Sequence, residues 1–259
     1  MLLALRRRWF GWKWLRGDYA DWDTALRASC GYDDAKVFAA VLASARAVRD
    51  APGLVERDGA LVSGGGEPNL PLMACLLRQA ADNGGRLRVL DYGGALGSLW
   101  WQHGSWLRGV QDLRWNVVEQ AHVVAAGQRE FSVGPLRFYL TLDDVIAADG
   151  RPDVVVLSSV LAYLREPDQL LAQLQRLQVP QIVIDRTGFV REGRRRLVVQ
   201  HVPPRIYPGS YPAWIFDAEL LRALESDYRC EATWPAIDRF DPSVDFRGMS
   251  FVRREFCAK

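Results

Sequence analysis

What this sequence lacks narrows it first. The four cysteines, Cys30, Cys75, Cys230 and Cys257, are widely spaced and form no C-x-x-C pair. That excludes a disulfide framework and a zinc ribbon, and they read as reduced, mostly buried thiols. No apolar run approaches the length of a membrane span, and Met1–Leu5 is too short for a signal-peptide core before Arg6-Arg7-Arg8 intervenes. A cytoplasmic protein is therefore expected. Neither sign of charge dominates: 33 Lys and Arg against 31 Asp and Glu leave a net charge of +2. Nothing in that balance calls for a nucleic-acid partner. Histidine is scarce, and no His/Asp/Glu trio has metal-ligand spacing, so no metal is expected. Repeats and low-complexity segments are absent as well. What remains is ordinary globular composition, 49% hydrophobic and 25% charged over 259 residues. That is enough for one large α/β domain with an N-terminal appendage.

Residues 1–70 read as that appendage, an arm followed by a helical extension or lid, and residues 71–259 as the main domain. Within the arm, residues 5–16 interleave cations with Trp9, Trp12 and Trp14. Such a stretch suits a peripheral membrane interface, or equally an arm packing its aromatics on the domain. Helices are expected from a cap at Asp21 or Asp23 through Ala28, and after Asp33 with Val37, Phe38, Val41, Leu42 and Ala45 on one face. Glu56-Arg57-Asp58 and Ser63-Gly64-Gly65-Gly66 mark a flexible loop over a pocket. After a helix from Pro71 to Asp82, strands and helices alternate regularly. The strands are Leu87–Asp91, Leu113–Glu119, Leu136–Leu140, Asp153–Ser158, Gln181–Asp185, Tyr228–Trp234 and Met249–Glu255, the last pair antiparallel. Helices are expected over Leu96–Leu107, Ala121–Phe131, Glu166–Leu177 and Asp217–Leu224.

The stretch Arg86–Ser98 organises the rest. An apolar strand ends in Asp91 and runs at once into a turn holding Gly93, Gly94 and Gly97. Such strand–turn–helix junctions bind nucleotide-like ligands. A dinucleotide fingerprint needs glycine at three positions that Gly93, Ala95 and Ser98 occupy here, so it fails. A carboxylate just before the loop repels a pyrophosphate but suits an ammonium group. The pattern Asp91-x-Gly93-x-x-x-Gly97 resembles motif I of class I S-adenosylmethionine (SAM) methyltransferases.

Other candidates follow from strand ends. Glu119 closes the second strand about 28 residues after Asp91, where a carboxylate can accept both ribose hydroxyls. Tyr92 and Gln120 flank these acids. Leu142 and Asp143 stand where an adenine ring would be flanked, and Ser158 and Ser159 where the sulfonium would lie. The segment Gln200–Trp214 is dense in proline and tyrosine and reads as a stiff loop forming an acceptor-site wall.

Taken together, several segments resemble a family of SAM-dependent methyltransferases found in bacterial surface-polysaccharide (O-antigen and capsule) gene clusters. They are Gly17-Asp18-Tyr19 with Trp22, Gly31-Tyr32-Asp33, Glu56-Arg57-Asp58, Val89–Ser98, Trp115–Gln120, Ser158–Leu161 with Tyr163-Leu164, Ile184–Thr187 and Val202–Trp214. The resemblance covers roughly residues 17–235. It implies a Rossmann-like α/β fold with a seven-stranded, mostly parallel sheet and helices on both faces. It also implies SAM as cofactor and an O-methylated sugar or glycan as acceptor. Asp185 is the first candidate for the base that the leaving proton requires. His201 has the better intrinsic pKa, although the family pattern does not call for histidine there; His103 and His122 likewise fall at open positions. Tyr163, Arg186, Tyr207, Tyr211 and Trp214 are the expected acceptor contacts. Two rival readings stand beside this one. One is a catalytically silent SAM-binding or membrane-adaptor module of a glycan assembly complex, and the other a nicotinamide-dependent oxidoreductase.

Overall fold

The computed structural model describes residues 14–31, 35–51, 53–57, 59–62, 68–204, 206–238 and 241–254. Most of the basic-aromatic arm, Tyr32-Asp33, Asp58 and Ser63–Gly66 lie outside them. From the N-terminal side come β1 (Leu15–Arg16), α1 (Trp22–Arg27), α2 (Ala35–Asp50), the hairpin strands β2 (Val55–Arg57) and β3 (Ala60–Val62), and α3 (Leu70–Asp82). Asp21 caps α1 by accepting from the Thr24 amide at 2.8 Å, and Asn69 caps α3 by accepting from Leu72 at 3.2 Å. Pro71 occupies the first turn of α3, where a missing N–H costs nothing.

The alternating half follows: β4 (Arg86–Tyr92), α4 (Ser98–His103), β5 (Asp112–Val118), α5 (Ala121–Glu130), β6 (Leu136–Tyr139), α6 (Leu142–Asp149), β7 (Val154–Ser158), α7 (Pro167–Arg176) and β8 (Gln181–Val190). Then come β9 (Arg196–Val202), β10 (Gly209–Ile215), α8 (Glu219–Glu225), β11 (Tyr228–Pro235) and β12 (Val244–Arg253). The main sheet has the order β11-β12-β8-β7-β4-β5-β6. Strands β4 to β8 within it are parallel, and β12 runs antiparallel to both its neighbours.

Parallel strands buried on both faces must be apolar throughout, and Val154–Leu157 are wholly buried. Their alternation divides the interior in two. Val89, Trp115, Val117 and Val156 face Leu72, Met73 and Leu76 of α3, whereas Leu90, Val155, Leu157 and Ile182 face Leu171, Leu174 and Leu220 of α7 and α8. No helix among the described residues is long and apolar enough to cross a membrane.

Several expectations need correction. The helix after the glycine turn stops at His103 and gives way to a 3-10 turn over Gly104–Leu107. Gly104 is there because a Cβ would lie 2.9 Å from the Trp100 ring. Helix α6 was not expected; Thr141 and Asp144 form its capping box. The Pro/Tyr-rich segment is a hairpin rather than a loop: β9 and β10 pair along their whole length, and β1 joins them in a second, three-stranded sheet. Trp14, the one arm tryptophan described, is buried in that sheet's core with Val198 and Tyr211.

Candidate active site

Strand order reverses at β4: β5 lies on one side of it and β7 on the other. The crevice outside the carboxyl ends of β4 and β7 is therefore the topological switch point, where open α/β sheets bind ligands. The glycine turn leads out of β4 at this point and into α4. Gly93 has φ +71° and donates its N–H to the Val118 carbonyl at 2.9 Å. A Cβ on Gly93 would drive into the Val160 side chain, and one on Gly94 would meet the Asp91 carboxyl carbon at 2.5 Å. Gly97, with φ +84°, opens α4. Only four non-glycine described residues have positive φ, and three of them, Ala95, Ser159 and Arg186, follow or end the parallel course of β4, β7 and β8. Left-handed backbone at such residues costs about 1–2 kcal/mol each and persists where the surroundings over-determine it.

Two acids of unlike environment flank this turn. Asp91 is 1% exposed and accepts one hydrogen bond, from Trp115 Nε1 at 3.2 Å. Burial pushes its carboxyl up to about 7, against the Trp115 hydrogen bond and with a small push from Glu119. Glu119 is half-buried; its Oε1 accepts from the Ala95 amide at 3.1 Å and its Oε2 from the Gln120 amide at 2.8 Å. It therefore ties the end of β5 to the glycine turn. Gln120 is exposed at the start of α5, and Tyr92 is half-buried, its hydroxyl pushed up by burial and then by Glu119.

The raised Asp91 carboxyl has a measurable consequence. The native state binds a proton there between the ordinary carboxylate range and pH 7 that the unfolded chain has released. Stability is then greatest, for this group, below that window and falls as pH rises through it, by up to about 4 kcal/mol. Urea unfolding should show the wild type losing ground to Asp91→Asn as pH rises to 7, and a pH-independent difference would refute the shift.

The remaining candidates separate. Leu142 is buried in the α6 core and Asp143 is exposed in the first turn of that helix. Ser159 donates its N–H to the Asp185 carbonyl, and Ser158 Oγ donates to Asp185 Oδ2 at 3.2 Å. Asp185 is 1% exposed and also accepts from Asn69 Nδ2 at 2.9 Å and from Trp234 Nε1 at 3.0 Å. Burial pushes this carboxyl up. Trp234 reaches it from β11 across β12, and only glycine permits that crossing: a Cβ on Gly248 would lie 2.6 Å from Asp185 Oδ1. Arg186 binds Asp238 through Nε at 2.9 Å and Nη2 at 3.0 Å.

The expected acceptor contacts divide between the two faces of the β9–β10 hairpin. Tyr163 Oη donates to Gln200 Oε1 at 3.1 Å, Gln200 Nε2 approaches Tyr211 Oη at 3.5 Å, and the Tyr207 and Tyr211 hydroxyls lie 3.1 Å apart. Tyr163 and Tyr211 stack edge to face at 5.3 Å. Trp214 belongs to the other face, with Trp22 at 6.2 Å and Arg195 over its ring at 5.1 Å. His201 shares the face of Leu197 and Val199, which pack on Ala25 of α1, and so points away from the tyrosines. Its imidazole is pushed down by burial and then by Arg16.

Asn69 and Gly248 carry no local motif and went unforeseen, and Gln200 was marked only as the first residue of the Pro/Tyr-rich segment. Glu56, read as part of a flexible loop and of a family resemblance, is 5% exposed; its carboxylate accepts from Ser98 Oγ and, at 3.1 Å, from the Gly59 amide.

No protein-family model and no curated protein matches the chain. Solved structures do. The N-terminal domain of EvdMO1, determined in the presence of S-adenosylhomocysteine (SAH) and D-fucose, superposes with TM-score 0.51 at 16% identity, covering 83% of this chain and 96% of that one. Its SAH-bound form gives 0.50 at 15% identity with the same coverage. Magnesium protoporphyrin IX methyltransferase (ChlM) from Synechocystis PCC 6803 with bound SAM gives 0.45 at 17% identity, covering 73% and 86%. With the EvdMO1 superposition and the strand order together, the chain has the Rossmann-like fold of the class I methyltransferases.

Proposed function

We propose that the protein is a SAM-dependent methyltransferase that O-methylates a sugar in a surface glycan or its precursor. The observation that carries this reading is the pairing of the glycine turn with Glu119 at the switch point, above a buried acid and without dinucleotide glycines. The residues fit the cofactor. Gly93 and Gly94 let the turn close on Val160 and on the Asp91 carboxyl, Glu119 offers two carboxylate oxygens to a ribose, and Asp91 lies beneath the turn to meet an ammonium group. Ser158, Ser159 and Val160 border the sulfonium position. When bound, SAM supplies an electrophilic methyl group to the acceptor oxygen.

The chain's own residues would then align that oxygen. Tyr163, which is half-buried, offers an aromatic face to a sugar ring and is backed by the buried Tyr207 and Tyr211. Asp185 enters as a positioning residue rather than as the base, because its two oxygens already accept three hydrogen bonds. His201 takes no part in this reading, since it belongs to the opposite face of β9. Residues 1–70 are read as an arm and a helical extension, and the extension would serve as the lid.

Calorimetric titration with SAM is the first test, and no binding at up to millimolar SAM overturns the proposal. Glu119→Ala should weaken binding about 10- to 100-fold, as loss of charged hydrogen bonds predicts. Affinity should also rise with pH, about tenfold per unit below pH 7, because an ammonium partner needs Asp91 ionised, and level off above it. Mass spectrometry of surface glycans from a deletion strain then tests the sugar acceptor through one missing methyl group.

A further inference from the structure

The β2–β3 hairpin lies between the two halves of the site, and its contacts close into a ring. Ser98, at the start of α4, donates to the Glu56 carboxylate, and Gln102 Nε2 donates to the Glu56 carbonyl at 2.6 Å. Three residues on, Gly59 donates to Glu56 Oε2 and receives Ser44 Oγ on its carbonyl at 2.6 Å. Gly59 packs on the Tyr207 ring, where a Cβ would lie 3.2 Å from Cε1. From Tyr207 the path runs through Tyr211 and Gln200 to Tyr163. The Tyr163 amide donates to the Val160 carbonyl at 2.9 Å, and the Val160 side chain packs on Gly93. The glycine turn carries the path back to Ser98. A carboxylate this deeply buried is costly unless its hydrogen bonds are made, so the link between Glu56 and Ser98 is strongly favoured once formed.

We infer that Glu56 is a positioning residue that latches the hairpin to the glycine turn, so that donor occupancy orders the tyrosine face on which the acceptor is held. This rests on the methyltransferase reading. The physical basis is mutual rigidification: a ligand that stiffens the turn lowers the cost of ordering whatever is bonded to it. Donor would then bind before acceptor.

Hydrogen–deuterium exchange with SAH as the probe tests it. In the wild type, saturating SAH should slow exchange about tenfold at residues 91–99 and also at residues 206–213, which the ligand need not touch. Glu56→Ala and Ser98→Ala should each keep the first effect and lose the second, while Glu56→Gln, which retains an acceptor oxygen, should keep part of both. Ser98→Ala removes only a hydroxyl and decides the matter if Glu56→Ala fails to fold. A merely structural Glu56 would loosen the hairpin equally with and without SAH and leave the SAH-dependent difference intact. Protection confined to residues 91–99 in the wild type, or retained at 206–213 in Ser98→Ala, overturns the latch. A wild type that binds no SAH by calorimetry overturns the functional reading as well, so the two failures are told apart.

Discussion

Gly93→Val should lower SAM affinity at least about hundredfold, or about 2.7 kcal/mol, in calorimetric titration. Two independent costs combine at this position. The backbone is left-handed at φ +71°, a region that β-branched residues essentially do not enter, and holding it there costs about 1–2 kcal/mol. The new Cβ would also enter space already held by Val160, whose own Cβ is 2.9 Å away. The turn relieves both only by moving its backbone away from β7, which displaces the Ala95 amide from Glu119. Gly93→Ala shares the backbone cost without the branching and should lose less. A melt run alongside separates a deformed site from an unfolded protein. Wild-type affinity in a folded Gly93→Val protein would remove the turn from the donor site.

The second large effect is expected at Asp185. Asp185→Ala should destabilise the fold by about 3–5 kcal/mol, because three donors that now share one buried carboxylate would be left without an acceptor. Those donors come from the cap of α3, the end of β7 and β11, so the loss spreads across both sides of the sheet. Asp185→Asn keeps one acceptor oxygen but turns an N–H₂ toward donors and should fall between. Its deficit should shrink as pH rises, since burial raises the wild-type carboxyl and ionising it inside the fold costs stability above the ordinary carboxylate range. Urea denaturation at several pH values reads both effects. A folded Asp185→Asn protein that binds SAM and turns over at the wild-type rate would remove Asp185 from the acceptor side of the site.

How much of this was legible depends on whether the deciding contact is local. The parallel strands were readable because burial on both faces leaves an unbroken apolar run, as in Val154–Leu157. The glycine turn and Glu119 were readable because strand ends recur at a fixed place in such sheets. The β9–β10 hairpin was misread because Pro203, Pro204, Pro208 and Pro212 resemble loop punctuation. In the structure Pro212 lies in β10, an edge strand among the described residues, and so tolerates a missing N–H. The partners of Asp185 come from positions 69, 158 and 234, and Glu56 meets Ser98 across 42 residues. No periodicity encodes such meetings. Gly248 is the extreme case: nothing near it explains a glycine until Trp234 and Asp185 are seen to bond across it.

The sheet order also constrains how the protein is made. Strand β11 joins the main sheet only through β12, which follows it in the chain. A nascent chain that has released β11 but not β12 therefore lacks the native partner strand of β11, and the native route of Trp234 to Asp185 is not yet built. During that interval β8 presents an open, largely apolar edge, and a buried acid lacks one of its three donors. Pairings that close late and span long sequence distances are slow and exposed to aggregation. Truncation before Val244 would therefore cost the sheet two strands rather than one.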